Sequence, residues 1–360
     1  VYWSLDFSWY LFGAFIMSSI KNNWTLPEVL NLFEKSFNEL LFEAHETHIK
    51  NHNKDTVQVC TLLSVKTGGC PEDCGYCSQS IHSDEPIEAT PLMSLDEVRE
   101  KATMARDQGS TRFCMGAAWR RPSNKNIDRV IKMIEVVHEL GMESCVTLGM
   151  LSQDQAERLS KSGLNYYNHN LDTSREHYAK VISTRNYQDR LNTIRYVRES
   201  GIKVCSGGIL GLGESREDRA KLLIELANLE QHPESVPINM LVHMEGTRLY
   251  DNEKVDELDF IRTIAISRIM MPKTYVRLSA GRESMADSMQ ALCFYAGANS
   301  VFYGEELLTA PNVTVEKDRA LFNKLGMNIE GQESQIDELN KIKTPDVEKK
   351  QDFYNLKLIN

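Results

Sequence analysis

From about residue 94 onward the chain alternates between two patterns. Stretches whose apolar positions recur every three or four residues predict helices, and short apolar, β-branched runs between them predict strands. Ser94-Leu95-Asp96-Glu97 is a capping box that opens one helix, Gly109 closes it, and Phe113-Cys114-Met115 follows as a strand. A helix from about Ile127 to Leu140 stops at Gly141 ahead of the strand Cys145–Leu148. Ser152-Gln153-Asp154-Gln155 caps the next, which ends at Gly163 before Tyr166-Tyr167. Another, from about Tyr187 to Ser200, stops at Gly201 before Ile202–Cys205. Glycine just past a helix takes the left-handed conformation at no Cβ cost, so these positions read as stops. Further strands are expected at Val236–Leu241, Tyr275–Leu278 and Ser300–Tyr303.

Upstream, Thr25-Leu26-Pro27-Glu28 opens a helix whose apolar positions are Leu30, Phe33, Phe37, Leu40 and Leu41, and Val57–Val65 reads as a buried strand. Eight strands, nearly all separated by helical patterns, predict an α/β fold. The expected form is a closed parallel (β/α)8 TIM-type barrel with an N-terminal helical extension, spanning 24–316; an open doubly wound sheet is the alternative. Residues 1–23 form an atypical aromatic leader, expected to lie outside the fold. Asp6 interrupts it, no basic region precedes it, and its apolar run Trp9–Met17 is too short to span a bilayer. Residues 1–16 are expected to lie upstream of the natural start. The polar tail 317–360 is expected to be flexible.

Composition changes the picture only modestly. The 360 residues are 41% hydrophobic and 26% charged, as in an ordinary globular enzyme, and a net charge of −10 with no basic stripe argues against a nucleic-acid partner. No segment reads as transmembrane, so a cytoplasmic protein without a membrane partner is expected. The eight cysteines are informative by position. Three fall in one loop, Gly69-Cys70-Pro71-Glu72-Asp73-Cys74-Gly75-Tyr76-Cys77-Ser78-Gln79-Ser80, and the rest fall singly in apolar segments. That pattern in a long chain points to metal binding in a reducing compartment rather than disulfides.

The C-x3-C-x2-C loop follows a strand, at the rim where barrel enzymes build their sites. Three cysteines leave one position of a four-ligand centre open, which favours an open iron–sulfur cluster over a zinc site completed from elsewhere. Cys114, Cys145 and Cys205 lie at or near the ends of three strands, shortly before glycines. Each alone would be a small buried hydrophobe; in a barrel the three can converge on a second metal centre. Cys60 and Cys293 lack that placement and are expected to be structural. Gly207-Gly208-Ile209-Leu210-Gly211-Leu212-Gly213-Glu214 lacks the phosphate-loop order but would let a flat ligand approach the backbone. Tyr167-Asn168-His169-Asn170-Leu171-Asp172-Thr173 reads either as a turn and N-cap or as hydrogen-bonding groups for a ligand. Asn239 and Arg277 are isolated polar residues in apolar strands; Arg277 is costly to bury unless it meets an ion-pair partner or an anionic cluster.

With its aromatic residue before the last cysteine, the loop resembles the signature of the radical S-adenosylmethionine (SAM) superfamily. Together with Tyr-Asn-His-Asn-Leu-Asp-Thr-Ser, Gly-Gly-Ile-Leu-Gly-Leu-Gly-Glu, Arg-Leu-Ser-Ala-Gly-Arg-Glu and Gly-Ala-Asn-Ser-Val-Phe-Tyr-Gly, it resembles the biotin synthase family within that superfamily, from about Trp24 to Asn312. The resemblance implies a homodimeric barrel that inserts sulfur into dethiobiotin to form biotin. It implies a [4Fe–4S] cluster on Cys70, Cys74 and Cys77, with SAM on its open iron as the source of a 5′-deoxyadenosyl radical. It further implies a sacrificial [2Fe–2S] cluster on Cys114, Cys145, Cys205 and Arg277. Tyr76 and Ile209 would pack by the adenine of SAM, Asn170 and Asp172 would hold its ribose, and Asn168 and Asn239 would meet the ureido ring of dethiobiotin. A flavodoxin- or ferredoxin-type electron donor and the iron–sulfur assembly machinery are the implied partners. The competing readings are another radical SAM barrel, such as a metallocluster maturase, and a non-catalytic iron–sulfur carrier.

Overall fold

The computed structural model describes residues 20–332. Eight parallel strands close on themselves: β1 (Thr56–Lys66), β2 (Arg112–Ala117), β3 (Glu143–Thr147), β4 (Tyr166–Asn168), β5 (Lys203–Cys205), β6 (Ser235–Met240), β7 (Tyr275–Leu278) and β8 (Ser300–Phe302). Closure is made by β1 against β8, with Gln58 opposite Ser300 and Cys60 opposite Phe302. The structure is therefore the (β/α)8 barrel and not the open sheet. Between the strands run α3 (Leu95–Asp107), α4 (Asn124–Glu139), α5 (Gln153–Lys161), α6 (Arg175–Val181), α7 (Tyr187–Glu199), α8 (Arg216–Ala227), α9 (Glu257–Met270) and α10 (Asp287–Tyr295). Gly109, Gly141, Gly163 and Gly201 all adopt the left-handed conformation their stop role requires, with φ of +103°, +78°, +84° and +78°.

Helix α4 begins before the expected Ile127 because Ser123 caps it by accepting a hydrogen bond from the Asn126 N–H. The expected single N-terminal helix is two, α1 (Leu26–Glu34) and α2 (Phe37–Asn51). At the break, Arg262 donates to the carbonyls of Phe33 and Lys35, so the end of α1 does not need a continuing turn to satisfy them. Among the described residues no helix is long and apolar enough to cross a membrane.

Two ends of the expected barrel span move. The described chain already packs at Lys21, whose carbonyl accepts from the His232 ring and whose ammonium lies 4.0 Å from the Trp24 ring centroid. At the other end, α11 (Val315–Leu325) runs across the boundary at 317, and a short strand, Asn328–Ile329, pairs with β1. The expectation of a flexible tail from 317 is corrected for 317–332. Its signal was masked because the buried face of α11 includes Asp318, a charged residue, which is fully buried against Arg282. The leader 1–19 and the remaining tail 333–360 lie outside the described residues.

The apolar residues form two separate cores. The large one lies between the sheet and its helices, as in any barrel. The small one lies inside the barrel and consists of Cys60, Cys114, Cys145, Tyr166, Phe302 and Leu307. Thiols fill the place where branched aliphatic side chains usually form layers. That substitution marks the barrel interior as the place to look for chemistry.

Candidate active site

Strand β1 delivers the three-cysteine loop to the mouth of the barrel. Within the loop, Cys70 N–H donates to the Gln79 carbonyl and Cys77 N–H to the Cys74 carbonyl, which folds the chain into a tight turn. Asp73 anchors this turn to the segment after α6, accepting from the backbone N–H groups of Ser183 (2.9 Å) and Thr184 (3.1 Å) and from both hydroxyls. All three thiols are free and line one cavity. Burial, then the neighbouring Cys74, pushes the Cys77 thiol up to about 12. A metal that binds thiolate would have to overcome that preference for the protonated form.

Deeper in the barrel, Cys114 and Cys145 face each other across β2 and β3, and Cys205 ends β5. Cys114 and Cys145 lie in the middle of their strands rather than near the ends, so their sulfurs sit inside the barrel, below the loop. Arg277 on β7 is buried and extends toward Cys205 and Cys60, with Nη1 4.0 Å from Cys205 Sγ and Nη2 3.2 Å from Cys60 Sγ. Its Nε donates to Ser300. The three strand cysteines and Arg277 line the same cavity as the loop cysteines, a space of about 320 Å³. The two cysteine sets are thus stacked along one passage.

The polar residues singled out between them also line that passage. Tyr76 donates its hydroxyl to Asp172 (3.0 Å), which is also ion-paired with the buried Arg190. Asp172 has φ of +68°, a strained turn that aims its carboxylate back toward the loop. Asn170 Oδ1 accepts from the Gly207 N–H (3.2 Å) and from Asn168. Asn168 also accepts from Thr147 and donates toward Cys205. Asn239 spans Gly208 and Ala280, donating 2.8 Å to one carbonyl and accepting 3.1 Å from the other residue's N–H.

Part of the glycine-rich stretch is strand rather than loop. Gly208–Leu210 forms a strand segment beside β6, and Ile209 projects into the cavity. A Cβ on Gly207 would lie 1.9 Å from the Pro237 carbonyl oxygen, so this glycine serves the close approach of β5 to β6 rather than a flat ligand.

Several residues lining the cavity or packed beside it were not singled out as site residues from sequence. Glu72 is buried within the loop, and its Oε1 makes no hydrogen bond, although Arg120 Nε lies 3.2 Å away. Arg185 approaches Cys74 (3.6 Å), and its buried Nε is also without a hydrogen-bond partner. Cys60, expected to be structural, faces inward from the middle of β1 against Arg277. Glu72 could have been flagged as a carboxylate inside the cysteine motif. For Arg185 and Cys60 the signal is purely spatial.

These features fit iron–sulfur chemistry. Among the described residues no three His, Cys, Asp or Glu side chains close around a single point; a cluster instead spreads its ligands over several iron atoms. Glu72 and Arg185 are paired with each other across 3.7 Å beside the loop, and each keeps one buried atom without a hydrogen bond; a carboxylate and a guanidinium so placed suit a ligand carrying an ammonium and a carboxylate.

Residues 64–226 match the radical SAM superfamily, and residues 237–328 match the biotin and thiamin synthesis associated domain. A biotin synthase of Thioalkalivibrio sulfidiphilus is 59% identical over 312 residues, covering 87% of this chain and 92% of its own length. This chain belongs to the biotin synthase family. A biotin synthase of Acinetobacter baumannii is 58% identical and is covered over 98% of its length. Among solved structures, the FeFe-hydrogenase maturase HydG of Carboxydothermus hydrogenoformans superposes with a TM-score of 0.74 at 20% identity, over 85% of this chain and 76% of its own. Methylornithine synthase gives 0.73 at 18% identity, over 88% of this chain and 96% of its own. Those two share the barrel alone, so the maturase reading is not favoured. As a biotin synthase family member the chain is a radical SAM enzyme, which also removes the non-catalytic carrier.

Proposed function

We propose that this enzyme converts dethiobiotin to biotin with two iron–sulfur clusters placed at two levels of one cavity. The observation that carries the reading is the stacking itself: two cysteine triads, one on a loop and one on strands, line the same passage together with Arg277. Cys70, Cys74 and Cys77 would hold a [4Fe–4S] cluster, and Cys114, Cys145, Cys205 and Arg277 a [2Fe–2S] cluster. When bound, the first with SAM supplies a 5′-deoxyadenosyl radical able to take hydrogen from an unactivated carbon, and the second supplies sulfur.

The chain's own residues bind, orient and keep the site dry. Glu72 and Arg185 would receive the amino and carboxylate groups of SAM. Asn170 and Asp172 would hold the ribose, with Tyr76 and Ile209 beside the adenine. Asn168 and Asn239 each keep part of their amide capacity after their contacts within the protein, enough to meet the ureido carbonyl and N–H groups. Leu62, Leu307 and Leu308 line the cavity with apolar surface, which excludes water from a reactive radical. A homodimer, a flavodoxin- or ferredoxin-type donor and cluster assembly machinery complete the reading.

The test separates radical formation from sulfur insertion. Cys114→Ala is expected to retain SAM cleavage to deoxyadenosine but form no biotin, whereas Cys74→Ala loses both. Biotin formation by Cys114→Ala at the normal rate would refute the assignment of the second cluster.

A further inference from the structure

A fourth thiol faces the strand cysteines. Cys60 projects from β1 into the barrel interior, is fully buried, and belongs to the same small core as Cys114 and Cys145. A buried cysteine is ordinarily a small hydrophobe, but the surroundings of this one are not apolar. Arg277 places Nη2 3.2 Å from Cys60 Sγ while its Nη1 reaches toward Cys205 Sγ at 4.0 Å, so one guanidinium spans two thiols. The residue opposite Cys60 on β2 is Arg112, stacked over Tyr166 and paired with Glu143. Arg112 Nη1 is buried and has no hydrogen-bond partner, a donor left over at the edge of the thiol cluster. The protein thus surrounds Cys60 with two buried cations, one holding an unused donor. Burial pushes the Cys60 thiol up to about 11 and its sulfur donates to Gln58, so the free thiol stays protonated; the arginines and the neighbouring cysteines nevertheless place it among polar groups rather than among methyl groups.

We propose that Cys60 is an additional ligand for the second iron–sulfur centre, placed to exchange with Arg277. The inference rests on reading Cys114, Cys145, Cys205 and Arg277 as that centre's ligand set. Arginine is a poor ligand, since it must lose a proton that it ordinarily keeps, whereas thiolate is the usual donor to iron–sulfur clusters. In the exchange the iron–nitrogen bond to Arg277 breaks and an iron–sulfur bond to Cys60 forms. The thiol proton passes to the guanidine 3.2 Å away, and no electron is gained or lost. Because the arginine already occupies the space between Cys60 and Cys205, its withdrawal leaves Cys60 bordering the vacated position. The device would retain an iron whose coordination is disturbed, in an enzyme whose second cluster gives up sulfide.

The experiment compares the wild-type chain with Cys60→Ser, Arg277→Ala and the double variant, each reconstituted without oxygen with iron and sulfide. Iron and sulfide are counted, and the second centre is examined by Mössbauer and resonance Raman spectroscopy, which separate sulfur from nitrogen or oxygen ligands. Cys60→Ser alone is expected to keep the wild-type spectrum. Arg277→Ala is expected to keep its iron and show an all-sulfur second centre. The double variant is expected to lose about two irons, the content of a [2Fe–2S] cluster, while the loop cluster stays as an internal measure of folding. Equal iron and identical spectra in Arg277→Ala and the double variant would overturn the proposal. If the double variant also loses the loop iron, the Arg277→Ala spectrum decides: a nitrogen or oxygen ligand in place of the arginine overturns it. A wild-type chain that binds only the loop cluster would instead remove the second-centre reading, and this proposal with it.

Discussion

Replacing Asp172 by alanine tests whether the turn after β4 is a structural junction as well as a ligand contact. Asp172 is buried at 1% exposure, accepts from the Tyr76 hydroxyl at 3.0 Å, and balances Arg190, whose side chain is 6% exposed. Arg190 keeps one other contact, its Nε to the Tyr178 hydroxyl at 3.0 Å. Truncation at Asp172 therefore strands a buried cation, which costs about 3–5 kcal/mol. The unfolding entropy of roughly 310 ordered residues at about 2.1 cal/mol/K each is ~0.7 kcal/mol/K, so the melting temperature should fall by roughly 5–8 °C. Asp172→Asn keeps an acceptor for one of the two donors and should fall by less. Differential scanning calorimetry on the reconstituted, SAM-free protein measures the structural part, and SAM titration of the same samples measures the ligand part. An Asp172→Ala protein that melts within about 1 °C of wild type would refute the junction, whatever its affinity for SAM.

Asp318→Ala removes the partner of Arg282, and both side chains are fully buried; the same ~3–5 kcal/mol loss is expected in chemical denaturation. A neutral result there would mean that the Arg282–Asp318 pair does not anchor α11 to the barrel. Arg185→Leu should weaken SAM binding by about 10- to 100-fold, the worth of one charge-assisted hydrogen bond, with little change in cluster content. If isothermal titration gives unchanged affinity, Arg185 serves its pairing with Glu72 and Cys74 rather than SAM.

The barrel was legible because its local signals agree. Capping residues at Ser94 and Ser152, glycine stops at Gly109, Gly141, Gly163 and Gly201, and short apolar strands repeat with one period. What escaped the sequence is what depends on contacts between distant segments. Lys35 and Ser36 carry no strong breaker, and the helix breaks there because Arg262, more than two hundred residues away, takes the free carbonyls. Asp318 reads as surface until Arg282 is seen beside it. The candidate site divides in the same way. The loop cysteines are visible in their spacing, and the strand cysteines become a set once the strands are closed into a ring. Cys60 was expected to be structural on its distance from the strand end, and its inward placement was not read. Alternation along β1 puts Cys60 on the same inward face as the cavity-lining Leu62, and that parity was the usable clue. The glycine at 207 misled in the opposite direction: its requirement comes from Pro237 on the neighbouring strand, not from a ligand.

The central claim is that the strand-borne centre supplies the sulfur for the product that the loop-borne centre initiates. The most direct measurement reconstitutes the protein with isotopically heavy sulfide, then adds SAM, reductant and dethiobiotin in the presence of light sulfide. Mass analysis of the biotin from the first turnover is compared with the fading of the second centre. The account predicts heavy biotin, formed in step with loss of that centre. Light biotin, or biotin formed while the second centre remains intact, would contradict it.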